Sequence, residues 1–456
     1  MSGSIRHWAS DSVFYHIYPL GLCGAPEKND FSSPPVDRLD ALYPWLDHIR
    51  DLGANALYIG PLFESGSHGY DTADYRIVDR RLGTNESFAR LCAGMRERGI
   101  RVVLDAVFNH TGRDFWAFKD VLEKGERSAY AGWFHGLKFG GRSPYGDPFT
   151  YEGWSGHHSL AKLNLAHPGV KAHLFEAVDS WVRDFGIDGL RLDAADVMDP
   201  VFLKELAAHC RRLRPDFWLM GEIVHGNYRR LVNPETLDSA TNYECYKGLY
   251  SSHVDKNYFE IAYSLDRQFG PHGIYRDLLL YSFADNHDVN RLASSLSEPA
   301  HLSTVYCLLF TMPGIPSVYY GSEWGIEGKK DGSDRPLRPR LDLAVVSREA
   351  AHRDRAAVVS RLSRLRRRNE ALRAGDYMQL HVSHEQLAFI RSTHDQRIVV
   401  AVNSSPASAR LQLEIPGAKD GALADLLNAG DTFEIRGGKT VIDPIPPRWA
   451  RILEVR

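Results

Sequence analysis

Gly189-Leu190-Arg191-Leu192-Asp193-Ala194-Ala195-Asp196-Val197 sets an arginine and a carboxylate two residues apart at the end of an apolar run. Along a strand successive side chains alternate sides, so Arg191 and Asp193 share one face while Leu190 and Leu192 pack behind them. A cation that close favours the ionised carboxylate. An ionised carboxylate backed by an apolar wall suits a nucleophile, or a stabiliser of developing positive charge. Taken alone, the segment reads more readily as a structural ion pair at a strand end. The chain on either side reverses that preference.

Residues 170–185 before this strand have helical period, residues 200–213 after it do too, and residues 217–222 form the next β-rich run. The alternation extends both ways. Strands are expected at 13–18, 54–59, 101–107, 186–193, 217–222, 237–242, 278–284 and 317–320, the sixth being the weakest. Helices are expected at 38–52, 85–98, 170–185, 200–213, 258–269, 301–312 and 356–368, with Thr84 as an N-cap and Gly99 as a stop. Strands that each lead into a helix predict an α/β fold, a (β/α)8 TIM barrel built from residues 1–110 and 168–374. Between them, residues 111–167 crowd Gly, Pro, Trp, Tyr and His without a clear rhythm, which predicts a small inserted domain after strand 3. Past Gly375 short alternating runs at 377–382, 387–391, 397–402, 410–415, 432–435 and 448–455 predict a C-terminal antiparallel β domain over 375–456, arranged as a β-sandwich.

The balance of 55 basic and 58 acidic residues gives no electrostatic case for nucleic acid or an anionic membrane, so the expected partner is uncharged or small. Cys23, Cys92, Cys210, Cys245 and Cys307 are far apart and lack the close pairing of a zinc or redox motif, which predicts reduced, structural thiols. Residues 1–12 hold no apolar targeting segment, and the apolar stretch 305–320 is short and carries Pro313 and Pro316. The expectation is a cytoplasmic protein.

In a barrel of this kind the C-terminal strand ends form the active face. Asp105 in Asp-Ala-Val-Phe-Asn-His, Asp193, Glu222 in Met-Gly-Glu-Ile-Val-His and Asp288 in Phe-Ala-Asp-Asn-His-Asp all stand at such ends. Several acids gathered with Arg191, His110 and His287 are costly, and stability alone does not require them. A carboxyl pair can act as acid and nucleophile on an acetal, with environment separating the roles. Arg191 is expected to keep Asp193 ionised, and Glu222, which follows Trp218-Leu219-Met220-Gly221, to hold a proton. Metal-assisted hydrolysis through Asp105, His110, His225 and His287 is the rival, weakened because these histidines follow separate strands. No Gly-x-Ser-x-Gly elbow supports serine chemistry.

Asp105–His110, Gly189–Val197, Gly221–His225 and Phe283–Asp288 together resemble the four signature regions of the α-amylase family of glycoside hydrolases, in order. The likeness extends to His68-Gly69-Tyr70-Asp71-Thr72-Ala73-Asp74-Tyr75 and to Pro313-Gly314-Ile315-Pro316. It implies Asp193 as nucleophile, Glu222 as general acid/base and Asp288 as transition-state stabiliser. It implies sugar contacts from Tyr70, His110, Arg191, His225 and His287, with Asp334 and Arg335 holding the outermost non-reducing sugar. No organic cofactor is implied; family members often bind calcium beside the insertion, and Asn109 matches one ligand.

Leu160-Ala161-Lys162-Leu163-Asn164 is similar to the Met-Pro-Lys-Leu-Asn marker of cyclomaltodextrinases and neopullulanases. That group usually carries a further N-terminal β domain that helps build a dimer, whereas this sequence enters the barrel almost at once; the resemblance still allows a homodimer. It also departs at Asp196-Val197, where the group has Asn-Glu and the true amylases Lys-His. The expected activity is retaining hydrolysis of α-1,4-glucosidic bonds in short or cyclic malto-oligosaccharides, cyclic maltosyl-maltose among them. Transglycosylation, or sucrose/trehalose-type isomerisation, is the alternative on the same barrel. A sugar-binding module without catalysis would be expected to lack a catalytic carboxylate, and all are present.

Overall fold

The computed structural model describes residues 7–456, so the first six residues of the expected barrel segment 1–110 lie outside the described residues. Eight short parallel strands line the barrel: β1 Phe14–Ile17, β2 Ala56–Ile59, β3 Arg101–Ala106, β4 Gly189–Leu192, β5 Trp218–Gly221, β6 Ser239–Ala240, β7 Tyr281–Phe283 and β8 Ile315–Tyr319. Their order is β6-β5-β4-β3-β2-β1-β8-β7, and a parallel bridge between Thr241 and Tyr281 closes the ring. Every strand but β8 is shorter than the run expected for it, and β8 begins two residues earlier than expected.

Alternation along the strands divides the core in two. Phe14, Tyr58, Val103, Trp218, Met220, Tyr281, Phe283 and Ile315 fill the barrel interior as one apolar cluster. Leu57, Leu104, Leu190, Leu192 and Leu219 point outward and pack with the helices in a second cluster. Thus Leu190 and Leu192 back the strand while Arg191 turns inward, as the period of two requires. Gly189 opens β4 because a Cβ there would stand 2.5 Å from the Trp218 carbonyl oxygen on β5.

Pro200–Leu213 forms as expected, and Asn85–Glu97 starts on a reciprocal cap between Thr84 and Ser87. Gly99 follows that helix at φ 68°. The helix expected over 38–52 begins instead as a 3-10 turn, Arg38–Leu42, and the α-helix runs Tyr43–Leu52 with Pro44 in its first turn. The helix expected over 170–185 runs as α-helix Pro168–Ser180 and ends in a π turn, Trp181–Phe185. Helix Tyr243–Val254 was not expected at all. Its buried face includes Cys245, Gly248, Ser251, Ser252 and His253, which do not register as an apolar stripe.

Within the inserted segment, His110–Gly112, His157–Lys162 and Gly153–Trp154 make a three-stranded antiparallel sheet beside helix Trp116–Lys124. The C-terminal strands form one continuous eight-stranded antiparallel sheet, so the expected sandwich is a single sheet folded over a core of Ile390, Val399, Leu411, Leu423, Ile442 and Leu453. Strands Gly421–Asp425 and Lys439–Ile445 belong to it and were not expected. The sheet's other face, with Phe389, Val400 and Ile452, joins the core under the barrel helices. Among the described residues no helix is long and apolar enough to cross a membrane.

Candidate active site

Arg191 is the hub of the barrel mouth. Its Nη1 lies 2.9 Å from Asp105 Oδ1 and 2.7 Å from Asp193 Oδ1, and its Nη2 lies 3.0 Å from Glu222 Oε2. These groups come from the ends of β3, β4 and β5, which pair in register with Arg191 opposite Asp105 on one side and Met220 on the other. The Ala194 amide, in the left-handed region at φ 48°, donates to Glu222 Oε2 at 3.0 Å. Ala194 therefore carries the bend that faces the Asp193 strand end toward Glu222. The Tyr243 hydroxyl approaches Glu222 Oε1 at 3.4 Å and accepts from Asn286 Nδ2 at 3.1 Å.

Tyr58 and Tyr70 both donate to Asp105 Oδ2, at 2.7 and 3.0 Å. The Tyr70 hydroxyl also bonds His287 Nε2, and the two rings lie nearly parallel with centroids 5.5 Å apart. His287 Nε2 is 2.9 Å from Asp288 Oδ2, and Arg338 Nη2 is 2.8 Å from Asp288 Oδ1. Asp288 is the most open of the proposed catalytic acids, its side chain 33% exposed against 10% for Asp193. His110 takes Asn109 Nδ2 at Nδ1, 3.2 Å away, and aims a buried, unpartnered Nε2 to within 3.9 Å of Asp193 Oδ2. Trp154, from the inserted sheet, packs against the His110 ring at 5.5 Å.

The structure brings together Tyr70, His110, Arg191, Asp193, Glu222, His287 and Asp288. It does not bring His225 to them: that side chain is exposed on the loop after β5, and no described hydrogen bond ties it to the acids. Nor does it bring Arg335, which pairs with Glu27 at the surface. Asp334 pairs instead with Arg338, four residues on, at 3.1 Å. The i, i+4 spacing of Asp334 and Arg338 is the sequence signal for that pair. Tyr58, Tyr243 and Asn286 were missed because nothing local marks a hydroxyl or amide that acts across strands.

Burial is the main influence on Asp193 and pushes its carboxyl well above the usual range; Glu222 and Asp105 push the same way, and Arg191 opposes. Burial also works against charge on Arg191, but Asp105 and Glu222 outweigh it and hold the guanidinium firmly charged. The expectation that Arg191 keeps Asp193 ionised therefore needs correction: burial and the neighbouring Glu222 and Asp105 carboxylates prevail over the cation. At Asp288 burial pushes upward, but His287 and Arg338 prevail and hold the carboxyl well below the usual range. Burial pushes His110 down to about 3, so it is a neutral hydrogen-bonding group.

The Asn109 Oδ1 atom is buried and unpartnered, the feature a calcium ligand would show. Calcium takes six to eight oxygens, carboxylates among them. Among the described residues no group of three or more His, Cys, Asp or Glu stands close enough to hold a metal.

Residues 38–373 match the family described as alpha amylase, catalytic domain. A cyclomaltodextrinase from a Bacillus species is 31% identical over 424 residues, which is 89% of this chain and 75% of the relative. Neopullulanase 2 of Thermoactinomyces vulgaris is 30% identical over 459 residues, covering 94% of this chain and 75% of the relative. The solved structure of the cyclic alpha-maltosyl-(1→6)-maltose hydrolase from Arthrobacter globiformis is similar with a TM-score of 0.81 at 28% identity, covering 99% of this chain and 100% of that one.

Proposed function

The chain belongs to the α-amylase family of glycoside hydrolases, and from that premise we propose retaining hydrolysis of α-1,4-glucosidic bonds in short or cyclic malto-oligosaccharides, cyclic maltosyl-maltose included. The observation that carries the reading is the sharing of Arg191 by Asp193 and Glu222 at the ends of neighbouring strands. In this scheme Glu222 gives its proton to the glycosidic oxygen while Asp193 attacks the anomeric carbon, and the leaving sugar departs as an alcohol. Glu222 then takes a proton from water, whose oxygen displaces Asp193 and regenerates both carboxyls. Asp288, ionised and open to the mouth, faces the positive charge that builds on the sugar ring. Neutral His110 offers its free Nε2 to a hydroxyl, and Tyr70 lies beneath the ring.

The leaving side supports small substrates. Asp196 and Val197 stand where the family resemblance implies Lys-His in the true amylases, and Val197 is 51% exposed with no charge to hold a long chain. Ranking kcat/KM on soluble starch, a cyclodextrin, cyclic maltosyl-maltose, maltotriose and sucrose tests the reading. The small substrates should lead; starch at the top overturns the size argument, and sucrose at the top moves the chain to the isomerase class. Dominant transfer products at ordinary substrate levels would favour the transglycosylase. The α-anomer should appear first by proton NMR.

The proposal includes turnover without a metal: EDTA should leave rate and unfolding temperature unchanged, and a loss restored by calcium would reject it. It also includes a cytoplasmic location, supported by five buried free thiols, and a homodimer, which sedimentation at micromolar concentration decides.

A further inference from the structure

Asp288 is held from outside its own loop. Arg338, on the segment after β8, reaches Asp288 Oδ1 at 2.8 Å with Nη2 and the His287 carbonyl oxygen at 2.9 Å with Nε. The guanidinium lies over the Tyr18 ring, 4.5 Å from its centroid, and the side chain is 9% exposed. Asp334 Oδ2 takes Nη2 at 3.1 Å, and Lys330 Nζ holds Asp334 Oδ1 at 2.7 Å. Lys330, Asp334 and Arg338 thus form a chain of alternating charge, spaced four residues apart, that runs from the surface to Asp288.

Each contact constrains a different freedom. The Oδ1 bond fixes the carboxylate plane, the carbonyl bond fixes the backbone of the neighbouring residue, and the aromatic face fixes the guanidinium itself. We propose that Arg338 is a positioning residue that locks the Asp288 carboxylate and the His287 backbone into their working arrangement, coupling the segment after β8 to the reacting centre. This rests on the hydrolase reading given above.

An arginine near a sugar site has a simpler use, which is to grip an outer sugar. The two roles separate on a substrate with no outer sugar. Other groups also face Asp288: His287 on its own loop, Arg191 on β4, Tyr70 after β2, Tyr243 after β6 and His16 on β1. None but Arg338 joins the carboxylate to the β8 segment.

The test compares wild type with Arg338→Met and Arg338→Lys on 4-nitrophenyl α-glucoside and on maltotetraose. It adds a titration of Asp288 by carboxyl carbon NMR on aspartate-labelled protein, the signal being assigned by its loss in Asp288→Asn. In Arg338→Met, kcat on the nitrophenyl substrate should fall about 10²-fold. The Asp288 midpoint should rise by about one to three pH units, with the acid limb of the rate profile following it. Arg338→Lys should restore part of both, and carries the test if the methionine variant does not fold. An unmoved Asp288 midpoint overturns the proposal. So does a loss confined to KM on maltotetraose, which would make Arg338 a sugar grip alone. Wild-type protein inert on every glucoside would remove the hydrolase reading, while the titration would still decide the role of Arg338.

Discussion

In the proposed scheme Asp193 and Glu222 have opposite tasks but draw on one cation, and this makes Arg191 as consequential as either acid. Asp193→Asn should lower kcat by about 10⁴-fold or more with the fold intact, as expected when a covalent nucleophile is lost. A purified variant that kept a few per cent of activity would remove Asp193 from that role. Arg191→Lys is a sharper probe. A guanidinium addresses Asp105, Asp193 and Glu222 from two nitrogens, while an ammonium is one compact point charge that cannot span all three. The lysine variant should keep the positive charge yet release Glu222, so the limbs of its pH–rate profile should move relative to wild type and kcat should fall. A profile with unchanged limbs would mean that charge alone matters and that the fork does not couple the pair.

Gly112 shows how closely two elements must meet to build the mouth. It lies on the first strand of the inserted sheet, and a Cβ there would stand 2.4 Å from the Asp71 carbonyl oxygen, next to Tyr70. Gly112→Ala should displace the Tyr70 loop, cost about 1–3 kcal/mol of stability through overpacking, and lower kcat/KM more than that loss implies. Thermal unfolding alongside kinetics checks it, and wild-type behaviour in both would refute the close approach. What could be read from sequence divides along the same line. Strand ends carrying Asp105, Asp193, Glu222 and Asp288 were legible because a period of two and a local motif mark them. Helix Tyr243–Val254, whose first residue reaches Glu222, was not, since its buried face mixes cysteine, glycine, serine and histidine. Arg338 was not singled out either: spacing ties it to Asp334, but its partners Asp288 and Tyr18 are remote in sequence, so only the folded chain shows that it turns inward.

Barrel and C-terminal sheet share one core, and buried histidines cross that core. His253, on helix Tyr243–Val254, places Nδ1 2.6 Å from the Leu249 carbonyl oxygen and Nε2 2.9 Å from the Tyr258 hydroxyl. Its neighbour His301 bonds the Ser404 carbonyl oxygen at the edge of the sheet, and the Tyr258 amide donates to the His384 carbonyl. Burial pushes His253 and His110 each down to about 3, and holds His16 well below its ordinary value. In the unfolded chain these imidazoles take up a proton near pH 6.5. The folded protein therefore binds fewer protons than the unfolded chain between about pH 6.5 and 3. There is no penalty above that window, and stability falls as pH drops through it, by about 1.4 kcal/mol per pH unit for each fully titrating histidine. Carboxylates held low in the fold, such as Asp288, add their own loss only at the acid end. Chemical unfolding at pH 7.5, 6 and 5 should show a steep decline, already under way between 7.5 and 6. Because His253 sits where barrel helices meet the sheet, both parts should unfold in one transition. His253→Gln should be less stable at pH 7.5 but lose less on going from pH 6 to 5. An undiminished slope in that variant would show that His253 is not a site of acid sensitivity, and two separate transitions would show that the shared core does not bind the domains into one cooperative unit.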